Sequence, residues 1–321
     1  MRISVFDRFD SVYNDWEKLI ENSQNSPFIS AFWQNLWWDN FGEGDLALIK
    51  IFDDQEVVGI VPLYLNGNIA RFIGGTDLFD YQDFIFKKGF EEKAIKTFLS
   101  HVVSLNWNEI ELLSIPEDSL NIELLERLSK DYGFLFEISV IETSPVKYLP
   151  ETWDEYIAGL SKKNRHELRR KFKRIQNEGY EFYICEESDL QNSLSDFFRL
   201  HKLSSVDKSD FMSAERETFF TEIAINHMKN NQLSLSFVEM NGVRVASSFC
   251  FDYGDSTFLY NSGYDKDFSS FSVGFICNAL AIKSSIDKGK KTFDFLRGDE
   301  RYKYHLGGID KSVYKITLSK K

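Results

Sequence analysis

The chain has 321 residues, 43% hydrophobic and 16% aromatic, enough to build two cores of roughly 150 residues each. Its formal net charge of -12 disfavours a general nucleic-acid binder or a coat for anionic membranes, and no stretch reaches the roughly 18 apolar residues of a membrane span. Cys185, Cys250 and Cys277 are scattered without a CxxC pair, so neither a disulfide framework nor a metal site is expected, and the start "MRISVFDRFD" lacks the basic and apolar regions of a secretory signal, which makes the cytoplasm the expected location.

Along the chain, "FWQNLWW" places Trp33, Trp37 and Trp38 at helical spacing, the pattern of a core face, although tryptophans can also stack on a sugar. The runs "LALIKIF" and "VVGIVPLYL" flank the polar "DDQE" and read as a β-hairpin. A strand at "IARFIGG", a loop "TDLFDYQ", a short strand "DFIF", an amphipathic helix over "EEKAIKTFLSHVVSL" and a strand at "EIELLSI" follow. Proline and turn residues around Pro145 and Pro150 mark the expected boundary between residues 1–149 and 150–321. The second half repeats the order: strand "LSLSFVEM", the Asn241-Gly242 turn, strand "VRVASSFCF", strand "TFLYNSGY", a loop, a helix and the strand "FDFL". Hairpin, strand, loop, helix, strand thus recurs after about 190 residues, which predicts a duplicated α+β domain.

Three segments carry chemistry. "SKKNRHELRRKFKR" sets eight Lys or Arg against Glu167, a net of +7 that leaves -19 on the rest of the chain. As a helix it presents Leu168, Phe172 and Ile175 on one face and cations such as Arg165 and Arg169 elsewhere, either as a solvated surface or as contacts for a ligand phosphate or an RNA stem. The loop "KDFSSFSVG" precedes an apolar helix, so Ser269, Ser270, Phe271, Ser272, Val273 and Gly274 lie where backbone N–H groups gather into an anion site; each serine can equally be a plain N-cap. In "FDFLRGDERYK", Phe293 and Phe295 alternate with Asp294 as in a half-buried strand, and after Gly298 come five charged or phenolic side chains at the strand end, where α/β sheets usually place their chemistry.

These segments, together with "SPFISAFWQNLWW", "VVGIVPLY", "DYQDF", "FRLHKL" and "NGVRVASSFCF" in the same order, resemble the CelD/BcsL-type acyltransferases, relatives of the Fem-type enzymes within the GNAT (acyl-CoA N-acyltransferase) superfamily. The resemblance implies two tandem GNAT-like domains, each a mixed and mostly antiparallel sheet flanked by helices. It implies an acyl-CoA co-substrate on the loop ending at Gly274, where serines replace the arginine and first glycine of the usual motif. The acceptor is assigned to the N-terminal side, with Tyr81 and Asp83, because Asp77, Asp80 and Asp83 would repel a pyrophosphate.

Acyl transfer to an amine needs a base, an oxyanion donor and an acid for the thiolate. Backbone N–H groups of "FLYNSGYD" are candidate oxyanion donors. Asp299 or Glu300 is the favoured proton acceptor, with Asp265 and His201 as further candidates, Tyr302 as the acid, and Asp294, Arg297 and Lys303 as substrate or anion contacts. The expected reaction is N-acylation of a small-molecule, amino-sugar or cell-envelope precursor amine. The rivals are a Fem-type transferase using aminoacyl-tRNA and a non-catalytic protein that kept the fold.

Overall fold

The computed structural model describes residues 1–21 and 26–320. In chain order the elements are β1 (Arg2–Phe6), α1 (Tyr13–Ile20), α2 (Ala31–Phe41), β2 (Asp45–Asp53), β3 (Glu56–Asn66), β4 (Ile69–Phe72), β5 (Ile85–Phe86), α3 (Glu91–Val102), β6 (Glu109–Pro116), α4 (Leu120–Leu128) and β7 (Phe134–Tyr148). They continue with α5 (Trp153–Gly159), α6 (Lys162–Glu178), β8 (Glu181–Ile184), α7 (Leu190–Ser204), α8 (Val206–Phe211), α9 (Ala214–Lys229), β9 (Leu233–Met240), β10 (Val243–Tyr253), β11 (Ser256–Tyr264), α10 (Val273–Asp287), β12 (Thr292–Asp294), α11 (Arg301–His305) and β13 (Ile309–Lys320). Two compact units result, Met1–Thr143 together with the segment from Lys311, and Ser144–Asp310. The segment from Lys311, expected with the second half, belongs to the first unit because β13 pairs antiparallel with β6, Val313 opposite Pro116 and Ser319 opposite Glu109.

In the first unit the strands run β1, β2, β3, β4, β6, β13, with β5 on β3. The β2–β3 hairpin pairs Asp53 with Glu56, and β4 lies parallel to β6 after the crossover through α3. The Val, Ile and Leu side chains of these strands meet Ala94, Ile95, Phe98 and Leu99 of α3 in one core, as the period-3.6 pattern of that helix requires. Ser30 caps α2 by accepting from Trp33 N at 3.2 Å. Trp33 is fully buried and Trp37 nearly so, so this face of α2 is core and not a sugar platform.

In the second unit β8, β9, β10, β11 and β12 follow one another, and β12 pairs with the last residues of β7. The β9–β10 turn has Asn241 at φ 53° and Gly242 at φ 74°, the doubly positive geometry that favours Asn-Gly in a two-residue hairpin. β11 is antiparallel to β10 and, after the crossover through α10, parallel to β12. Each unit therefore contains a hairpin, a third strand, a crossover helix and a parallel fourth strand.

Candidate functional site

The site begins where two strands part. β11 pairs with β10 as far as Tyr264, whereas its parallel pairing with β12 covers only Ser256–Phe258. Beyond Phe258 the other edge of β11 is met by side chains of α7 and α8. Ser204 Oγ accepts from Tyr264 N at 2.8 Å, and Lys208 Nζ donates to Ser262 O at 2.5 Å. Gly263 makes this approach possible, since a Cβ there would lie 2.4 Å from His201 N and 2.6 Å from Leu200 C. The strand amides expected to stabilise an oxyanion are engaged: Ser204 takes Tyr264 N, and the Asn261 side chain takes Ser262 N at 2.9 Å.

A cleft of about 530 Å³ opens beside this edge. Its walls come from the start of α10, from Glu167 and Lys171 of α6, from Lys208, and from Glu300, Arg301 and Tyr302. Ser272 occupies the N-cap position of α10 at φ 58°, yet its side chain makes no capping bond. Instead Ser272 Oγ accepts from Lys171 Nζ at 2.6 Å. The amides of Val273, Gly274 and Phe275 thus open the helix without a side-chain cap, at its positive dipole end, with a lysine ammonium beside them. Lys171 Nζ is also 3.4 Å from Glu167 and 5.1 Å from the Phe275 ring centroid, and the Arg174 guanidinium lies 5.5 Å from that of Phe271. The basic helix and the serine loop, read separately in sequence, form one surface.

Ser269, Ser272, Val273 and Gly274 line the cleft, while Ser270 and Phe271 do not. Gly274 has its own steric reason: a Cβ would sit 3.0 Å from the Tyr264 ring. Gly274 thus lets the Tyr264 ring pack close to the start of α10, where both line the cleft.

The charged C-terminal segment is built differently from the expectation. Asp294 is buried and accepts from Leu296 N at 2.8 Å, so it turns the backbone after β12 and does not face solvent. Leu296 sits at φ 57° and Gly298 at φ 105°. Lys303 is 2% exposed, and its ammonium donates to the carbonyls of Leu296 (2.9 Å), Arg297 (2.5 Å) and Gly298 (3.1 Å), with Glu300 Oε2 at 2.9 Å. An ammonium has three donors, and the loop consumes them. Lys303 is therefore a staple for this turn rather than an anion clamp. Arg297 contributes its carbonyl to the staple and does not line the cleft.

The proposed acids and bases also fall into different places. Burial and the Glu300 carboxylate push the Tyr302 phenol above its ordinary range, which makes it a poor proton donor to a thiolate although it lines the cleft. His201 is 1% exposed, between the rings of Phe197 and Phe211, and burial together with the Lys208 cation pushes its pKa down to about 3. It is a neutral core histidine outside the cleft lining. Asp265 accepts from Asp267 N and caps the turn before α10, and Asp299 is exposed away from the lining. Arg165 donates to Ala158 O, and Arg169 is exposed on the outer face of α6. In the first unit Tyr81 is buried against Phe28, and Asp83 accepts from Asn121 Nδ2 and Phe84 N, burial raising its pKa to about 6.

Lys208 was not marked by the sequence. It stands in the short α8, whose N-cap Ser205 accepts from Lys208 N at 3.1 Å. Burial, reinforced by the Lys303 cation and opposed by Glu300, pushes its pKa down to about 8. The stretch "LSSVDKSD" shows a capping serine but no periodicity that would bury a lysine. Among the described residues no group of three or more His, Cys, Asp or Glu is placed to hold a metal ion.

Comparison with known proteins agrees with this architecture. Residues 162–304 match the family model of an acetyltransferase (GNAT) domain. Those residues hold the cleft, α10 and the Lys303 turn. The whole chain is similar in fold to FemX, with a TM-score of 0.65 at 11% identity over 98% of this chain and 97% of that one. It is likewise similar to a conserved protein of unknown function from Bacteroides thetaiotaomicron VPI-5482, with a TM-score of 0.64 at 12% identity over 100% of both chains. A third similar structure is L-PGS from Bacillus licheniformis, with a TM-score of 0.60 at 12% identity over 96% of this chain and 91% of that one. No curated protein matches the chain. The fold is α+β with a mixed sheet, of the tandem GNAT kind, and residues 162–304 are similar to a GNAT acetyltransferase domain.

Proposed function

We propose that the chain is an acyl-CoA-dependent N-acyltransferase whose donor binds in the Ser144–Asp310 unit. The observation that carries this reading is the uncapped start of α10 with Lys171 held on Ser272. Helix N-terminal amides next to a lysine ammonium suit a diphosphate. The amides of Val273 to Phe275, the Ser269 and Ser272 hydroxyls and Lys171 would hold that group, while Tyr264 and Phe275 supply apolar wall. Bound acyl-CoA would bring an activated thioester. The chain's own task is then to orient it, exclude water and move a proton from the acceptor amine. Glu300, exposed at the cleft and paired to Lys303 on one oxygen, would anchor the acceptor's ammonium. The acceptor class remains that of the sequence reading, a small-molecule, amino-sugar or cell-envelope precursor amine.

A second reading, an aminoacyl-tRNA donor, is favoured by the outer face of α6, where Lys162, Lys163, Arg169, Arg170 and Lys173 are exposed.

The test is the thermal shift with CoA and acetyl-CoA at low and moderate salt. A ligand at one hundred times its Kd adds about 2.7 kcal/mol of stability. Lys171→Met should weaken CoA about 10-fold, the loss of one charge-assisted contact. A midpoint that CoA leaves unmoved, together with tRNA binding that collapses as salt rises, would transfer the assignment to the second reading.

A further inference from the structure

A transferase of this kind must take a proton from the attacking amine, and the acidic groups expected to do so have other employment. Asp265 caps a turn, Asp294 is buried under Leu296 N, Asp299 lies off the cleft, and Glu300 is ion-paired to Lys303. His201 is sealed among phenylalanines. Lys208 is placed otherwise. It lines the cleft, is half-buried, and is fixed by one donor to Ser262 O on the edge of β11 that β12 has left.

We propose that Lys208, as the neutral amine, is the proton acceptor for the incoming ammonium. The proposal rests on the acyl-CoA reading above. The acceptor's ammonium passes one proton to Lys208 Nζ. The freed amine then forms the C–N bond at the thioester carbonyl as the C–S bond breaks. The leaving thiolate takes the proton back from Lys208, and the second amine proton goes to solvent, so protons and electrons balance. The environment eases loss of the charge: burial and the Lys303 cation disfavour it, Glu300 favours it, and the resulting pKa of about 8 makes the neutral amine a minor form at neutral pH and the main one above pH 8. His201, packed behind, is uncharged and adds no field of its own. A base whose pKa lies near the working pH is the efficient one.

A neutral amine within reach of a thioester should itself be acylated slowly when no acceptor is present. The experiment incubates the full chain with acetyl-CoA from neutral to alkaline pH and maps acetyl-lysine by peptide mass spectrometry, with Lys208→Arg to verify the peptide. Lys208 is expected to react about 10-fold faster than exposed lysines near neutral pH, where its larger neutral fraction counts, with a midpoint near pH 8. The CoA-induced rise in melting temperature is recorded on the same sample. Lys208 left unmodified while CoA raises the midpoint overturns the proposal alone. Absence of any rise with CoA overturns the donor reading and the proposal with it.

Discussion

Replacing Lys303 by methionine separates two roles that the same residue could have had. If Lys303 were a ligand clamp, the substitution would spare the fold and weaken anion binding. The structure instead makes it the common donor for three backbone carbonyls, those of Leu296, Arg297 and Gly298, in a turn that holds Leu296 at φ 57°. The Leu296 carbonyl is buried with the ammonium, so leaving it unsatisfied costs about 2 kcal/mol. The other two bonds are partly exposed, and water can replace them at about 1 kcal/mol each. A total near 4 kcal/mol agrees with the 3–5 kcal/mol typical of removing one partner from a buried charged contact. At roughly 2–4 °C per kcal/mol for a domain of this size, the melting midpoint should fall by about 8–16 °C. Differential scanning calorimetry measures it directly. A variant that melts within about 3 °C of the parent while losing its CoA-induced shift would refute the staple.

Gly263→Ala would set a methyl 2.4 Å from His201 N, and because the obstacle is the backbone of α7, the helix must move. The expected loss is about 1–3 kcal/mol with weaker CoA binding, read from denaturant midpoints and thermal shift. His201 and His227, with pKa values depressed to about 3 and about 4 by burial, stay neutral when folded but protonate near 6.5 when unfolded. Their stabilisation is complete above pH 6.5 and is lost as pH falls toward 4, about 2 kcal/mol each by pH 5; urea titrations of the chain at pH 7 and 5 check the sign. Cys250 and Cys277 are buried with raised thiol pKa values, that of Cys277 pushed up to about 12. Both should be silent toward Ellman's reagent until the protein is unfolded, and rapid native labelling of either would contradict their placement.

Much of the fold was legible because its signals are local. The β2–β3 and β9–β10 hairpins, the crossover helices α3 and α10, and the tryptophan face of α2 follow from alternation, period and turn chemistry. The strand β13 was not legible, since its partner β6 lies about two hundred residues away in sequence and nothing near it announces a long-range antiparallel pairing. The site was half legible. The serine loop and the basic helix were each recognised, but their joining through Lys171 and Ser272 is tertiary. "FDFLRGDERYK" shows why charge patterns mislead: Lys303 is drawn inward by carbonyls that a left-handed Leu296 exposes, and a sequence shows charges but not which carbonyls a turn will leave open. Lys208 carried no local mark, because what makes it unusual is its burial against β11.

The pairing of β13 with β6 also sets an order of events during synthesis. The Ser144–Asp310 unit is contiguous in sequence, so its strands and helices need no segment made after Asp310. The first unit does. Its strand β6 must wait for a partner that emerges after everything between them has been made, and until then one edge of an apolar strand stands open. Removing the residues from Lys311 onward would make that waiting state permanent.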